Sequence, residues 1–177
     1  MTRKDEPLFD AIVRIDRLPP SGRTVDVDLD EETRAQLASQ LKLSAIRSFK
    51  AHLTVAPLRG GLRAQGQLTA EIEQPSVVTF EPVTQHIDES IDRIYVPASE
   101  KPNPAPGAEI FVDLEDENFP DQIDGPEVDL SILLIETLAL AIDPYPRLPD
   151  ESVESLAIPG TNEPSGPFAA LSKLKKP

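Results

Sequence analysis

Residues 49–73, FKAHLTVAPLRGGLRAQGQLTAEIE, decide the fold of this 177-residue chain. Small or apolar residues occupy every second position on each side of a glycine pair. Before the pair they are Phe49, Ala51, Leu53 and Val55, and after the pair they are Leu62, Ala64, Gly66, Leu68, Ala70 and Ile72. A period of two is typical of a strand with one buried face. Gly60 and Gly61 suit the turn of a hairpin. The stretch therefore predicts two long antiparallel strands joined by a short turn.

Weaker alternation predicts further strands on both sides of this hairpin. Residues 7–18 predict a first strand, which the segment PPSGRT ends with its prolines and glycine. Residues 77–83 and 87–96 predict two more strands after the hairpin. Residues 110–114 predict a short edge strand beyond a proline-rich loop. The sheet is therefore expected to contain at least five strands.

Two helices are predicted by their caps and by apolar spacing. Asp28 or Asp30 can cap a helix over residues 31–41, because a short carboxylate accepts hydrogen bonds from the unpaired amides of a first turn. Residues 128–142 predict the most apolar helix, which Pro144 ends. Its wide stripe is expected to lie on the sheet. That stripe consists of Leu130, Leu133, Leu134, Leu138, Ala141 and Ile142.

These elements predict an α+β fold, with a mostly antiparallel sheet that can curl towards a barrel and two main helices packed on it. Residues 1–150 are predicted to form one α+β domain. Residues 151–177 are predicted to be a proline-broken tail with a short C-terminal helix. Phe168, Leu171 and Leu174 recur in that tail at helical spacing.

Cations and carboxylates are segregated along the chain, whose formal net charge is −14. No Asp or Glu occurs from residue 33 to residue 70, whereas residues 102–146 hold eleven acidic residues and no Lys or Arg. Cations that share a strand face can contact RNA phosphates at short range, and the alternative is a charged solvent face. The predicted RNA-contact residues are Arg47, Lys50, Arg59, Arg63, Lys173, Lys175 and Lys176.

The acidic stretch from residue 109 to residue 129 predicts a surface for a basic protein, because complementary charge speeds encounter and sets orientation. The predicted partner-binding residues are Glu115, Asp116, Glu117, Phe168, Leu171 and Leu174, the last three through an apolar helical face. A hard-cation site in the same run, which a metal-dependent nuclease would need, is a third alternative. The spacing of these acids is not that of a calcium loop, and a solvated acidic loop is the simpler interpretation.

Catalytic chemistry is not predicted. The chain has no cysteine, and its two histidines, His52 and His86, fall on different predicted strands. No serine lies in a G-x-S-x-G turn, and no phosphate-binding glycine loop opens a helix. We therefore expect a protein that is not an enzyme and that uses no cofactor or metal. Since the longest apolar run is far too short to span a bilayer and no secretory signal is evident, we expect a cytoplasmic protein without membrane contact.

Three segments carry motifs whose order and spacing match one family. Residues 59–83 form a glycine-bearing strand that leads to a turn and a proline. Residues 124–146 contain an Asp-Leu helix start, a mid-helix Glu and two following prolines, and residues 166–177 contain Pro-Phe-x-x-Leu-x-x-Leu-Lys. Together, over residues 46–177, they resemble the YceD family, the large ribosomal RNA subunit accumulation proteins of bacteria and plastids.

The resemblance implies a ribosome-biogenesis factor associated with the synthesis, processing or stability of 23S ribosomal RNA, and it implies no catalytic residue. Many relatives carry Cys-x-x-Cys just before the central proline, where this chain has Ser76 and Thr79. Hydroxyls cannot replace thiolates as soft metal ligands or as redox groups. A zinc-binding or redox role of that pair is therefore not expected in this chain.

The leading hypothesis is a non-enzymatic factor in the biogenesis of the large ribosomal subunit. Its expected partners are the pre-ribosomal large subunit, and within it ribosomal RNA, a basic ribosomal protein, or both. The alternative is an acidic protein-binding adaptor with no RNA contact. The leading hypothesis requires cations and carboxylates to occupy separate surfaces of the folded protein, so that each surface can bind a different component.

Overall fold

The computed structural model describes residues 7–98, 120–149 and 151. Strands make up 49% of these residues and helices 21%. The strands are β1 (Ile12–Arg14), β2 (Arg23–Asp28), β3 (Ala45–Leu58), β4 (Gly61–Pro75), β5 (Pro82–Pro97), β6 (Asp121–Ile123) and β7 (Glu127–Asp129). The α-helices are α1 (Glu31–Leu41) and α2 (Leu130–Ala141), and one 3-10 turn covers Ile15–Arg17.

Five strands form a sheet in the order β2-β3-β4-β5-β6, and the pairs from β2 to β5 are antiparallel. β6 instead runs parallel to the end of β5, with Asp121 opposite Tyr95. β1 and β7 form a separate antiparallel pair. The hairpin predicted from residues 49–73 is confirmed, since Val55 lies opposite Ala64 and the turn passes through Gly60 at a φ of +80°.

The predicted α+β class with a barrel-like sheet is wrong, because the described residues are mostly β and their sheet is open and mixed in direction. Only the presence of two helices beside the sheet fits that class. β3, β4 and β5 run for 14, 15 and 16 residues and outweigh both helices. β2 and β6 stand at opposite edges, so the sheet does not close. The strand predicted at 110–114 and the C-terminal helix lie outside the described residues.

The strand predicted over residues 77–83 is a turn that joins β4 to β5. The Oγ of Ser76 accepts hydrogen bonds from the backbone N–H groups of Val78 and Thr79, at 3.0 and 3.3 Å. Phe80 then adopts a left-handed φ of 63°. Short polar side chains favour such turns because they satisfy amides that a strand would pair across the sheet.

α1 begins at the predicted residue, whereas α2 begins at Leu130 instead of residue 128, because Val128 and Asp129 belong to β7. Asp30 caps α1 by accepting a hydrogen bond from the N–H of Thr33 at 2.8 Å, and Asp129 caps α2 through the N–H of Ser131 at 2.9 Å. The apolar stripe of α2 is confirmed, since it is buried at Leu130, Leu133, Leu134 and Leu138 and half-buried at Ala141 and Ile142. Over residues 7–98 and 120–149, no helix is long and apolar enough to cross a bilayer.

The helices and the β1–β7 pair cover one face of the sheet, which is called here the inner face. Phe49, Leu53 and Leu68 on this face are fully buried, together with Leu37 of α1 and Leu134 of α2. Alternation along each strand turns the remaining side chains of β2 to β5 to the opposite, outer face. The inner face therefore supplies the core, and the outer face is available to solvent or to partners.

Candidate partner-binding surfaces

The outer face of the sheet is polar from β2 to β5. The register of the strands determines which of its side chains are neighbours. Asp28 lies opposite Lys50, and Lys50 lies opposite Thr69 on the next strand. The carboxylates on this face belong to Asp26, Asp28, Glu71, Glu73, Asp88 and Asp92, and the cations to Arg47, Lys50 and Arg63, beside His52 and His86. The face that was predicted to be a basic stripe thus carries more carboxylates than cations.

Three of the predicted RNA-contact residues form ion pairs with these carboxylates. Nη2 of Arg47 lies 2.5 Å from Oε2 of Glu73, and Nη2 of Arg63 lies 2.6 Å from Oδ2 of Asp92. Nζ of Lys50 lies 3.3 Å from Oδ2 of Asp28. The charges that are segregated along the chain are therefore interleaved on the sheet.

The side-chain hydrogen bonds in two of these pairs also shift the pKa values of the paired groups. The hydrogen bond from Arg63 is the main reason that the pKa of Asp92 lies below its ordinary value. The hydrogen bond to Glu73 is the main reason that the pKa of Arg47 is raised. Each carboxylate occupies Nε and Nη2 of its guanidinium, so an RNA phosphate would compete with it for those donors. RNA contact through Arg47, Lys50 and Arg63 stays a prediction, as it does through Arg59 in the hairpin turn.

A second surface lies between α2 and the inner side of β5, and it is called here the acidic groove. Two adjoining hollows of about 480 and 310 Å³ form it, and they share Arg93 and Leu133. Ile91 and Leu133 contribute buried apolar side chains to its lining. Its other lining residues include Glu89, Asp92, Tyr95, Asp121, Glu127, Asp129, Ile132, Glu136, Thr137 and Leu140.

Negative charge dominates this groove. Five carboxylates line it besides the outward-facing Asp92, and they belong to Glu89, Asp121, Glu127, Asp129 and Glu136. Glu127 pairs with Arg14 at 3.3 Å, and Arg93 is the one cation among the described lining residues. Burial, followed by the charge of Asp121, raises the pKa of Tyr95 to about 12. Glu136 and Asp129 act in the same direction. Arg93 acts in the opposite direction, and the raised pKa of Tyr95 therefore reflects chiefly the burial of its hydroxyl group.

Part of the predicted acidic surface belongs to this groove. Asp121 and Asp129 come from the stretch 109–129 and reach the groove through β6 and β7. The predicted partner-binding residues Glu115, Asp116, Glu117, Phe168, Leu171 and Leu174 lie outside the described residues, as do Lys173, Lys175 and Lys176. Glu89 and Glu136 were missed, because only the packing of α2 beside β5 brings these two residues of distant segments together. A glutamate in an otherwise apolar helix was the available signal.

Among the described residues, each histidine lies beside a single carboxylate. Nδ1 of His52 lies 2.5 Å from Oδ1 of Asp26, and Nδ1 of His86 lies 3.4 Å from Oε2 of Glu71, on an exposed face. Within residues 7–98 and 120–149, no three His, Asp or Glu side chains are grouped as metal ligands would be.

The family described as large ribosomal RNA subunit accumulation protein YceD matches residues 64–175, which is more than half of the chain. The chain belongs to the YceD family. The match includes β4, β5, α2 and the whole acidic groove. No match was found among curated proteins or among solved structures. The family description connects the chain with the accumulation of large-subunit ribosomal RNA.

Ser76 and Thr79 both bind the carboxylate of Glu151. Ser76 Oγ donates to Oε2 at 2.5 Å and Thr79 Oγ1 donates to Oε1. The N–H of Leu148 donates to the same Oε2 at 3.0 Å. The N–H of Val77 donates to the carbonyl oxygen of Pro146 at 3.0 Å. This arrangement, called here the Glu151 clasp, fastens the chain after α2 to the β4–β5 turn.

The Glu151 clasp is expected to lose its effect in acid. Hydrogen bonds from Ser76, then Thr79, lower the pKa of Glu151 below its ordinary value of 4.5. A lowered carboxylate pKa stabilises the folded protein above the ordinary value, and this stabilisation disappears as the pH falls through the lower, folded value. A Glu151→Gln variant should therefore melt below the wild type at neutral pH, and the difference should shrink below about pH 4.5.

Thermal melts of both proteins between neutral pH and pH 3 would measure this difference. Glu81→Gln is the matched control, since Glu81 is exposed in the same turn and its side chain forms no hydrogen bond with any described residue. A difference between wild type and Glu151→Gln that stays constant with pH would contradict a role for the ionised carboxylate.

Proposed function

We propose that this YceD-family chain is a non-enzymatic factor that supports the synthesis, processing or stability of 23S ribosomal RNA during biogenesis of the large subunit in the bacterial cytoplasm. It acts by holding a basic protein of the immature subunit in the acidic groove. The observation that carries the proposal is the presence of five carboxylates beside a single lining cation, Arg93, in a groove with apolar lining residues.

The charge of the groove decides which partner it suits. Carboxylates in a concave surface raise the local concentration of lysine- and arginine-rich partners and speed their association. The same charges repel the phosphates of RNA, which proteins normally bind through Lys and Arg. The exposed side chains of Ile132 and Leu140 add apolar contact area that charge alone does not provide. A basic protein is therefore the partner that the groove fits best.

A protein-binding adaptor without RNA contact is a second candidate. The ion pairs of Arg47, Lys50 and Arg63 with sheet carboxylates support it, because they occupy cations that RNA would need. The two candidates differ in crosslinking from living cells. A factor inside the immature subunit gives ribosomal RNA and protein crosslinks, whereas an adaptor gives protein crosslinks only.

The cellular test compares two surfaces in a strain that lacks the chromosomal copy. Loss of the protein should lower 23S relative to 16S ribosomal RNA, and the wild-type chain should restore the ratio. Glu89→Lys/Glu136→Lys, which reverses two groove charges, should weaken co-sedimentation with large-subunit precursors on the order of tenfold. Arg47→Gln/Lys50→Gln/Arg63→Gln should change co-sedimentation little, because these cations are already paired.

The control variant is Glu32→Lys/Glu81→Lys, which changes the net charge equally at two exposed positions outside the groove. Its co-sedimentation should stay near that of the wild type. Normal 23S levels in the strain without the protein would reject the proposed function. Loss of binding in the Arg/Lys variant alone would instead favour RNA contact through the outer face. Cleavage of ribosomal RNA by the purified protein with Mg²⁺ or Mn²⁺ would contradict the non-enzymatic assignment.

A further inference from the structure

Among the described residues, one edge of β5 is paired along most of its length, whereas the other edge is paired over only three residues. β4 pairs with it from Pro82 to Tyr95 on one side. On the other side, the pairing in the described residues is with β6 and involves only Tyr95, Val96 and Pro97. The side chain of Gln85 binds the carbonyl oxygen of Ala141 at 2.8 Å, so the end of α2 approaches the first part of β5. The edge between residues 86 and 94, about 30 Å long, has no strand partner among the described residues.

The acidic groove runs along this same part of β5. Glu89 and Arg93 stand on the inner side of the strand, and Leu133 and Leu140 of α2 lie across the groove from them. Leu140 is 77% exposed, so its side chain is available for contact with a partner. Asp88 and Asp92 stand on the outer side of the strand. Backbone hydrogen-bonding groups, apolar contact area and carboxylates are therefore combined at one edge.

We propose that the edge of β5 between residues 86 and 94 binds an extended, lysine- and arginine-rich protein segment as an additional strand. The inward side chains of the bound segment enter the acidic groove, where they contact the exposed Ile132 and Leu140 and pair with Glu89 and Glu136. The outward side chains lie beside Asp88 and Asp92. This binding mode rests on the proposed function and adds to it the form and the site of the partner.

Strand geometry explains why an extended segment fits this edge. Added strands gain affinity from backbone hydrogen bonds and specificity from alternate side chains that point to opposite faces. The carboxylates on both faces of β5 favour cations on both faces of the added strand. They also repel the β5 edge of a second copy of the chain, which carries the same charges. The edge is thus protected from self-association and open to a basic partner.

The binding test uses the purified full chain and a peptide of about ten residues in which lysine alternates with valine or threonine. Backbone amide exchange of the protein, followed by NMR or mass spectrometry, should slow within residues 86–94 when the peptide binds. The same peptide methylated at alternate backbone nitrogens keeps its charge but cannot donate those hydrogen bonds. It should bind about tenfold more weakly. Glu89→Lys should weaken binding of the unmodified peptide by about tenfold as well.

Two variants provide controls for this test. Glu32→Lys makes the same change of charge on α1, away from the groove, and should bind the peptide as the wild type does. Leu140→Ala removes an exposed side chain, so it should fold normally yet bind severalfold more weakly. Equal binding of the methylated peptide would overturn strand addition and leave only charge attraction. An RNA oligonucleotide that slows exchange in the same residues would make RNA the occupant instead.

Slow exchange of residues 86–94 in the protein without peptide would also overturn the proposal, because it would show that the chain covers this edge itself. The peptide test and the cellular test can fail separately. If the peptide fails but loss of the protein still lowers 23S ribosomal RNA, the binding mode is wrong and the proposed function stands. If the 23S level is normal, the proposed function is wrong whatever the peptide does.

Discussion

A Gly66→Ala variant is expected to lose about 3 kcal/mol of folding stability, the largest effect of any single methyl group considered for this chain. A Cβ atom at Gly66 would lie 1.9 Å from the carbonyl oxygen of His52 and 2.9 Å from the Cα of Leu53. Both atoms belong to the backbone of β3, which is paired with β2 on one side and with β4 on the other. The backbone cannot move away without disturbing both ladders.

Gly60→Ala is the matched control, since the same methyl group would meet no atom within 4 Å there. Gly60 has a φ of +80°, so alanine would be strained by its backbone alone, at a cost of about 1 kcal/mol. Urea unfolding followed by circular dichroism would give both values. If Gly66→Ala were no less stable than Gly60→Ala, the close approach of β3 to β4 at this position would be wrong.

Leu138→Ala is expected to cost about 3 kcal/mol, whereas Leu140→Ala on the same helix should cost less than about 0.5 kcal/mol. Leu138 is fully buried, and Leu140 is 77% exposed. Truncation of Leu138 removes buried methyl groups and leaves a cavity between α2 and the sheet. Truncation of Leu140 removes little buried surface, and alanine favours the helix.

Calorimetric melts of the two variants test this difference between residues of identical chemistry. Their helix propensity changes by the same amount, so the difference between them isolates burial. A stability loss in Leu140→Ala as large as that in Leu138→Ala would mean that Leu140 is covered in solution. It would also remove one of the contacts on which the strand-addition proposal depends.

Local patterns in the sequence predicted the central hairpin and both helices. Alternation in residues 49–73 is strong enough to fix which side chains are buried, and Asp30 and Asp129 stop strands and begin helices through their own hydrogen bonds. The strand predicted over residues 87–96 is also confirmed, since it lies within β5. Other weak or short patterns failed. β2 was not predicted, because only Val25 and Val27 alternate between polar residues. Of the strand predicted over residues 7–18, only Ile12–Arg14 is a strand in the structure.

Pairings between distant segments could not be predicted from local patterns. β6 lies parallel to β5 after a long connection, and this pairing makes the sheet mixed in direction. The interleaving of Arg63 with Asp92 likewise depends on the register of β4 against β5. The distribution of charges along the sequence therefore did not predict their distribution on the folded surface. Only part of the acidic groove, at Asp121, Glu127 and Asp129, followed from the acidic stretch in the sequence.

The pairing of β1 with β7 has a consequence for synthesis of the chain. Ile12–Arg14 leaves the translating ribosome long before its partner Glu127–Asp129, with more than a hundred residues between them. At ordinary translation speeds the first segment waits about ten seconds. The hairpin of β3 and β4 can form during this time from contacts that are close along the chain. The N-terminal segment and α2 are thus expected to dock last, as one late step of cotranslational folding.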